Sequence, residues 1–268
     1  MTADLAQLIE PTIAIAARAS DAILAIYNDT ELQVETKADA SPLTAADKAS
    51  HELIVAALTE LTPAIPVLSE ESRAVSWAER STWDTYWLID PLDGTKEFIK
   101  RNGEFTVNIA LIQVHSAVLG VVHVPVQNRC FYGYREGGAW ERDADGTTRP
   151  VKVCSPAQNP VRVVGSRSHR GELLDGYLER LGAHEMVPMG SSLKLCLVAT
   201  GAADVYPRLG LTSEWDTAAA QAVVECAGGK VVQTDGSPLR YNSKDDILNP
   251  HFIVYGDSSR DWTRYLSD

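Results

Sequence analysis

Two aspartates three residues apart, Asp90 and Asp93, are the residues of this chain best suited to chemistry. They follow an apolar run at residues 87–89, which the pattern predicts to be a buried strand that ends where Pro91 removes an N–H donor. At the tip of such a strand the two carboxylates and the carbonyl of Leu92 would converge. Hard oxygen donors gathered on one turn suit Mg²⁺, which takes a few carboxylates together with a substrate phosphate. The alternative is a plain polar turn, since Asp-Pro and Asp-Gly pairs are common in turns.

Two further acidic positions favour a metal site over a plain turn. Glu70 follows its own apolar run at residues 65–68, and Asp216 comes directly before an alanine-rich run with helical spacing. Two bare carboxylates ~4 Å apart repel each other by about 4 kcal/mol at an effective dielectric constant of about 20. A cluster of these acids would need cations to hold it together, so we expect a divalent metal centre.

Composition and charge exclude several classes of protein. The 268 residues are 45% hydrophobic and 22% charged, which is typical of a globular protein with a substantial core. The net charge of −12 argues against a nucleic acid polymer as partner, because direct binding to its phosphates requires a basic face. No apolar run reaches the ~20 residues of a membrane helix. The N-terminus lacks the pattern of a secretory signal, so we expect a cytoplasmic protein and leave attachment to the surface of the inner membrane open.

Cysteine usage also indicates a reducing compartment. The four cysteines are widely spaced and form no Cys-x-x-Cys pair, so we expect core residues and neither a zinc site nor a disulfide framework. These cysteines are Cys130, Cys154, Cys196 and Cys226.

Hydrophobic periodicity predicts two halves of different character. The first has helical patterns at residues 5–27, as one helix or as two separated at Pro11, and at 44–61, where Thr44 and Asp47 match a capping pattern. It continues with an exposed strand at 31–36 and several long apolar strands, which favour a large antiparallel sheet with helices on one face. The second half alternates strands and helices and ends with a short helix at 260–266. We place the boundary in the polar stretch 155–160, giving an N-terminal α+β half at residues 1–157 with the metal motif and a C-terminal α/β half at 158–268 with Asp216.

Two motifs carry a resemblance to a known family. The sequence DPLDGT at residues 90–95, together with WDTAA at 215–219 and AGG at 227–229, resembles the two signatures of the inositol monophosphatase superfamily, a family of Mg²⁺-dependent, lithium-sensitive phosphatases. The segment at residues 86–108 resembles the CysQ branch, the 3'(2'),5'-bisphosphate nucleotidases. The resemblance implies an α+β fold, a layered α-β-α-β-α sandwich of the inositol monophosphatase and fructose-1,6-bisphosphatase type.

The same resemblance implies roles for individual residues. Each site would hold about two or three Mg²⁺ ions, a number suited to metal-assisted phosphate chemistry. Their ligands would be Glu70, Asp90, the carbonyl of Leu92, Asp93 and Asp216. Thr95, with Asp47 or Glu70, would orient the attacking water, and the N–H groups of Gly94 and Thr95 would receive the phosphate. For Asp47 and Asp216 the alternative is helix capping. The substrate would also contact the metal-side residues, namely Glu70, Leu92, Asp93, Gly94, Thr95 and Asp216.

Specificity is expected to come from the second half. By resemblance, Ser191, Lys194 and Arg208 would bind the second phosphate of a nucleoside bisphosphate, and His169 would lie near the nucleoside. The two cations are equally compatible with solvated surface charges on an acidic protein. One departure from the family pattern is Ala220, where the family often has glycine; the extra methyl group could crowd the cleft but removes no ligand.

The sequence therefore predicts a Mg²⁺-dependent 3'(2'),5'-bisphosphate nucleotidase. It would hydrolyse the 3'-phosphate of adenosine 3',5'-bisphosphate (PAP) to AMP and phosphate, clearing a by-product of sulfate assimilation, with the sulfated nucleotide PAPS as a second candidate substrate. Inositol monophosphatase and fructose-1,6-bisphosphatase activities are the alternatives within this class. A non-catalytic nucleotide sensor is the alternative from another class, although a sensor has no need of every metal carboxylate. The expected partner is a small phosphorylated nucleotide, bound by a monomer or a homodimer.

Overall fold

A computed structural model describes residues 4–29, 42–72, 75–165 and 171–266, with the side chains of residues 42 and 43 not included. The exposed strand expected at residues 31–36 and the candidate substrate residue His169 lie outside the described residues.

The N-terminal helices form the first layer of the molecule. Helix α1 (Leu5–Tyr27) is a single helix with Pro11 inside it, and the side chain of Asp4 caps its start by accepting the Ala6 N–H at 3.1 Å. Helix α2 (Pro42–Leu61) packs along α1. It begins at Pro42, a residue well suited to the first helical position, so Asp47 lies inside the helix. The capping alternative for Asp47 is therefore wrong.

The first sheet has seven strands that follow one another in sequence order. All neighbouring pairs are antiparallel except β1 and β2, which run parallel. Two short helices, α3 (Trp77–Arg80) and α4 (Thr95–Ile99), connect its first strands. This confirms the expected large antiparallel sheet, apart from the one parallel pair. The expectation of helices on one face is wrong, because α1 and α2 cover one face and the helix at residues 218–226 covers the other. The strands are β1 (Val67–Ser69), β2 (Thr85–Asp93), β3 (Thr106–Gln113), β4 (Ser116–Val124), β5 (Arg129–Tyr134), β6 (Gly138–Arg142) and β7 (Thr148–Pro150).

The second sheet has five strands in the order β11-β12-β10-β8-β9. The helix expected at residues 260–266 is only a 3₁₀ turn at Thr263–Tyr265. The elements of this part are β8 (Val161–Gly165), α5 (Glu172–Leu181), β9 (His184–Pro188), α6 (Leu193–Ala199), β10 (Val205–Arg208), α7 (Ala218–Cys226), β11 (Lys230–Gln233) and β12 (Phe252–Tyr255).

Three hydrophobic clusters hold five layers together. Helices α1 and α2 bury their apolar faces on the outer side of the first sheet. Helices α6 and α7 lie between the two sheets, in a cluster that includes Leu88 of β2, Val223 of α7 and Val254 of β12. Helix α5 covers the outer side of the second sheet. This order confirms the α-β-α-β-α sandwich. The central cluster contains residues of both halves, so the hydrophobic clusters do not separate the two halves. The boundary at residues 157 and 158 stays a prediction.

Small residues allow α7 to lie directly on the first sheet. A Cβ atom at Gly120 of β4 would come 2.0 Å from the carbonyl oxygen of Ala219 and 2.9 Å from the Cβ of Ala222. A glycine in the sheet and alanines on the helix therefore permit this close approach. Ala220 is fully buried in the same cluster and does not line the candidate cleft described below, so its methyl group is part of the core packing.

The cysteines are all free thiols, as expected. Cys130 and Cys196 are buried, and burial raises the pKa of the Cys130 thiol to about 12. Cys154 and Cys226 are only half-buried, so the expectation of four core residues holds for two of them.

One buried histidine makes the packing of α1 on the first sheet sensitive to acid. Burial lowers the pKa of His123 to about 4, against the opposing influence of Asp21, and the His123 Nδ1 is hydrogen bonded to the Ser20 Oγ at 2.7 Å. As the pH falls below the ordinary histidine value, the unfolded chain takes up a proton that the folded chain does not accept until about pH 4. We expect a loss of about 3 kcal/mol of stability over this interval.

Urea unfolding of the wild type and of His123→Gln at a series of pH values measures this loss. Between neutral pH and the pKa of His123 in the folded protein, the free energy of unfolding of the variant should fall by about 3 kcal/mol less than that of the wild type. Parallel pH profiles for the two proteins would show that His123 does not titrate in this way.

Candidate active site

The end of β2 carries the first two acids on a β-bulge. Asp90 pairs with Asn108 and Asp93 pairs with Thr106, so residues 91 and 92 face a single residue of β3. The prediction that the strand ends at Pro91 was wrong, because the bulge places the proline where the ladder needs no N–H. The strand continues to Asp93 and then meets Gly94, whose φ of 100° belongs to the left-handed region that favours glycine.

Asp90 is the most deeply buried acid of the site. Its side chain is 1% exposed, and its Oδ1 accepts the N–H of Leu92 at 3.1 Å. Burial raises the pKa of Asp90 well above its ordinary value, and neighbouring negative charges raise it further. The acids that act on it in this way are Asp93, Glu70, Asp216 and Asp47. The structure therefore brings the acids predicted from distant parts of the sequence into one cluster.

Asp93 links the two halves of the molecule. Its Oδ2 accepts the backbone N–H of Ser192 at 2.5 Å, and longer bonds of 3.4 Å reach it from the Thr106 hydroxyl and the Asn108 amide. Burial raises the pKa of Asp93, whereas the positive charge of Lys194 and the Ser192 N–H lower it. Donors from β3 and from the start of α6 thus fix this carboxylate on both sides.

Glu70 and Asp216 complete the acidic cluster from two other elements. Glu70 follows β1 and its N–H donates to the carbonyl of Ile89 at 3.2 Å; partial removal from water, then the charge of Asp93, raises the pKa of Glu70. Asp216 ends a 3₁₀ turn at Glu214–Asp216, and its Oδ2 accepts the Ser213 N–H at 2.9 Å. Burial and the charge of Asp93 raise the pKa of Asp216 to about 7. Asp216 does not cap the alanine-rich helix, which begins only at residue 218.

Asp47 approaches the cluster from α2. Burial, followed by the charges of Glu71 and Glu70, raises the pKa of Asp47 to about 8. Its Oδ1 is buried and has no hydrogen-bond partner. A buried carboxylate oxygen without a donor is costly, which indicates that a proton or a bound cation satisfies it in the working protein.

The donor set of the cluster fits a hard divalent cation. Every side chain in it offers carboxylate oxygen, and the charges of Asp47, Glu70, Asp93 and Asp216 all raise the pKa of Asp90, so a cation is the natural partner. Among the described residues, no three acidic, histidine or cysteine side chains already stand close enough to ligate one ion. Each ion would therefore take one or two of these carboxylates, with water and phosphate oxygens completing its coordination.

A cleft between the two halves adjoins this cluster. Thr95, the first residue of α4, is exposed and does not line the cleft, whereas Glu70 lines a neighbouring hollow together with Trp215. The cleft itself is lined by these residues expected from the sequence: Asp93, Gly94, Ser191, Lys194, Arg208 and Asp216.

Two of the cations that line the cleft, Lys194 and Arg208, are held by backbone carbonyls. Lys194 Nζ donates to the carbonyl of Ser191 at 2.6 Å and lies 5.8 Å from the centre of the Tyr206 ring. Burial lowers the pKa of Lys194, while the charge of Asp93 opposes this shift. Arg208 donates to the carbonyl of Leu211 at 2.6 Å. These side chains lie in the cleft and are not freely solvated surface charges.

Several residues that support the site were not singled out from the sequence. Thr106, Asn108 and Ser192 surround Asp93, with the Ser192 hydroxyl donating to the Asn108 side-chain oxygen at 2.9 Å. Lys96 and Glu97 line the cleft. A signal was present for the first two, because they are polar residues two apart on an otherwise apolar strand and therefore share one face.

A layered sandwich with an acidic cluster beside a cleft defines the class of metal-dependent phosphatases. The chain belongs to the inositol monophosphatase family, whose family model matches residues 4–259. Among curated proteins it is similar to the 3'(2'),5'-bisphosphate nucleotidase CysQ of Escherichia coli (strain K12), with 49% identity over 248 residues that cover 92% of this chain and 99% of the relative. It is also similar to the protein of the same name from Haemophilus influenzae, with 38% identity over 88% of each chain.

Solved structures agree with this placement. The crystal structure of CysQ from Bacteroides thetaiotaomicron covers 97% of this chain and 100% of its own, with 43% identity and a TM-score of 0.87. The inositol monophosphatase from Anabaena (Nostoc) sp. PCC 7120 has 26% identity and a TM-score of 0.77, over 98% of this chain and 96% of its own. The family resemblance and the layered fold expected from the sequence are thus confirmed.

The structure also bears on the expected location. No helix in the described part of the chain has the length and apolar character that a bilayer crossing requires. The cytoplasmic location and the question of a membrane surface stay predictions.

The crowded carboxylates predict opposite effects of one substitution with and without metal. Asp90→Asn keeps the acceptor for the Leu92 N–H and removes a charge that burial disfavours. In excess EDTA, at a pH above the raised pKa values, the variant should be more stable than the wild type, because it has no buried negative charge at this position. In millimolar Mg²⁺ the wild type should gain stability by mass action, and the variant should gain much less.

Thermal unfolding with EDTA and with Mg²⁺ measures both effects. Asp235→Asn is the matched control, since this acid is exposed and lies outside the cluster; its response to Mg²⁺ should equal that of the wild type. An Asp90→Asn protein that gains as much stability from Mg²⁺ as the wild type would contradict a metal role for Asp90.

Proposed function

We propose that this chain is a divalent-metal-dependent 3'(2'),5'-bisphosphate nucleotidase that hydrolyses the 3'-phosphate of adenosine 3',5'-bisphosphate to AMP and phosphate. The identity of 49% with curated 3'(2'),5'-bisphosphate nucleotidases, over 92% of this chain, supports this activity. The single observation that carries it in the structure is that two acids of the cluster, Asp93 and Asp216, line one cleft together with the cations Lys194 and Arg208. A substrate with two phosphates matches such a cleft, with one phosphate at the acidic end and one at the basic end.

We assign the metal to the acidic end. Mg²⁺, at about two to three ions per site, would be held by the carboxylates and carbonyl named from the sequence: Glu70, Asp90, Leu92, Asp93 and Asp216. When bound, the ions supply positive charge to the phosphoryl oxygens and lower the pKa of water. The chain contributes the rigid placement of the ligands, through the bulge for Asp90 and the donors around Asp93.

Residues on α2 and at the start of α4 would orient the attacking water. Asp47, with its buried unpartnered oxygen, is a carboxylate suited to hydrogen bond the attacking water and to accept its proton. Thr95 and Gly94 stand at the start of α4, where the first N–H groups of the helix have no partner inside it. These groups would face the scissile phosphate, and Thr95 would orient the water with Asp47 or Glu70.

The basic end would hold the 5'-phosphate. Ser191 has an uncommon positive φ of 43°, and its carbonyl accepts the Lys194 ammonium group. Lys194 and Arg208 are therefore preorganised, which reduces the entropy lost when they bind an anion. His169, expected near the nucleoside, stays a prediction. PAPS would use the same 5'-phosphate contacts, so preference between the two nucleotides rests with parts of the site beyond them.

A substrate panel tests the assignment. With Mg²⁺, phosphate release from adenosine 3',5'-bisphosphate should be faster than release from inositol 1-phosphate or fructose 1,6-bisphosphate, and EDTA should abolish it. Faster turnover of inositol 1-phosphate would instead favour a monophosphatase. Tight binding of the bisphosphate without release of phosphate from any substrate would favour a sensor.

The basic end predicts a selective loss in one variant. Lys194→Met should raise KM for adenosine 3',5'-bisphosphate by about ten- to a hundredfold, because a charge-assisted bond to the 5'-phosphate is worth about 1.5–3 kcal/mol. Adenosine 3'-monophosphate lacks that phosphate, so its KM should change much less. Steady-state kinetics with both nucleotides make the comparison. An equal loss for both substrates would show that Lys194 acts on the acidic cluster and not on the second phosphate.

A further inference from the structure

One face of α2 holds three polar residues that meet the acid-bearing strands. Asp47, Ser50 and His51 share this face because residues three and four apart are neighbours on a helix. Ser50 is fully buried, and its hydroxyl donates to the carbonyl of Pro91 at 2.8 Å. His51 Nδ1 is hydrogen bonded to the Ser69 Oγ at 2.8 Å. The helix that presents Asp47 is thus bonded to β2 and to β1 at the points where their acids begin.

The bond from Ser50 reaches a peptide group that holds Asp90. The carbonyl of Pro91 and the N–H of Leu92 belong to one planar peptide unit, so fixing one fixes the other. That N–H donates to the Asp90 Oδ1 at 3.1 Å. The Ser50 hydroxyl therefore sets the orientation of the bulge peptide, and the bulge peptide sets the Asp90 carboxylate.

The bond from His51 reaches the turn that carries Glu70. The Ser69 Oγ accepts the N–H of Glu71 at 3.3 Å, and its second hydrogen-bond partner is His51. Ser69 is 3% exposed, so water does not replace this contact. The direction in which Glu70 leaves β1 depends on the same turn.

We infer that Ser50 and His51 are positioning residues that hold the acidic cluster ready for metal. The inference rests on the proposed function, in which Asp90 and Glu70 bind Mg²⁺ and Asp47 orients water. Through the two bonds, α2 fixes the separation between Asp47 and both ligand-bearing strands. Loss of either hydrogen bond would loosen the metal ligands, whereas the residues proposed to bind the substrate phosphates would stay in place. The main effect is therefore a higher Mg²⁺ concentration required for binding and activity.

Ser50→Ala, compared with Ser20→Ala, tests the inference. Ser20 is a buried serine on α1 whose hydroxyl is hydrogen bonded to His123 of the first sheet, so its loss costs comparable stability away from the cluster. Two Mg²⁺ midpoints are measured for each protein. One is the Mg²⁺ concentration that gives half-maximal phosphate release. The other is the Kd for Mg²⁺ without substrate, obtained from the rise of the melting temperature with Mg²⁺ concentration.

Ser50→Ala should raise both Mg²⁺ midpoints by about three- to tenfold, which corresponds to one buried hydrogen bond. Ser20→Ala should leave both midpoints at the wild-type value while it lowers the melting temperature. Wild-type midpoints in Ser50→Ala, or an equal shift in Ser20→Ala, would overturn the inference.

A second pair of variants covers the case in which Ser50→Ala does not fold. His51 is only half-buried, so His51→Leu is expected to fold and to raise the same midpoints, whereas His51→Gln, which keeps a hydrogen-bonding group, should restore them at least in part. Equal midpoints for His51→Leu and the wild type would overturn the role of His51. If the wild type releases no phosphate from the bisphosphate nucleotide, the proposed function fails, and the thermal midpoints still decide the roles of Ser50 and His51 in metal binding.

Discussion

Mutual repulsion of buried carboxylates is the constraint on which this molecule depends. The acids arrive from a helix, from the end of an edge strand, from a bulge in its neighbour and from a 3₁₀ turn in the other half of the chain. Burial and neighbouring charge raise the pKa of each of them. Such a cluster lowers the stability of the fold until protons or cations neutralise it. The surrounding layers supply the packing energy that keeps it assembled.

Asp93 has a particular place in this arrangement. It is the acid whose carboxylate is bonded to the first half through Thr106 and Asn108 and to the second half through Ser192. The same N–H that binds it belongs to the segment that begins α6 and leads to Lys194. The metal end and the end proposed for the second phosphate are therefore joined by one hydrogen bond and the short segment from Ser192 to Lys194.

Much of the fold could be predicted from the sequence because long apolar periodicity determines long elements. Helix α1 and helix α2 are found where the pattern predicts them, and the long apolar strands expected after them are present as β3 and β4. The bulge at Pro91 could not be predicted in this way, since a proline is equally compatible with the end of a strand and with an extra unpaired residue inside one. For Asp47 the capping pattern was misleading, because Pro42 begins the helix earlier.

The candidate site was predictable where residue type alone carries the chemistry. The carboxylates followed from spacing and repulsion, and the cations from the family resemblance. The support around Asp93 depends on pairing between strands and on which face of β3 is turned towards α6. These are tertiary facts, and two polar residues in an apolar strand were their only trace in the sequence.

The central helical layer also has a consequence for synthesis of the protein. The first sheet is complete at residue 150, but its inner face is covered by α7, which ends at residue 226. During translation, apolar side chains such as Leu88, Ala110 and Val122 stay uncovered until a further segment, about half the length of a typical domain, has been synthesised. At about 5–20 residues per second, the inner face of the sheet therefore stays without its covering helix for several seconds.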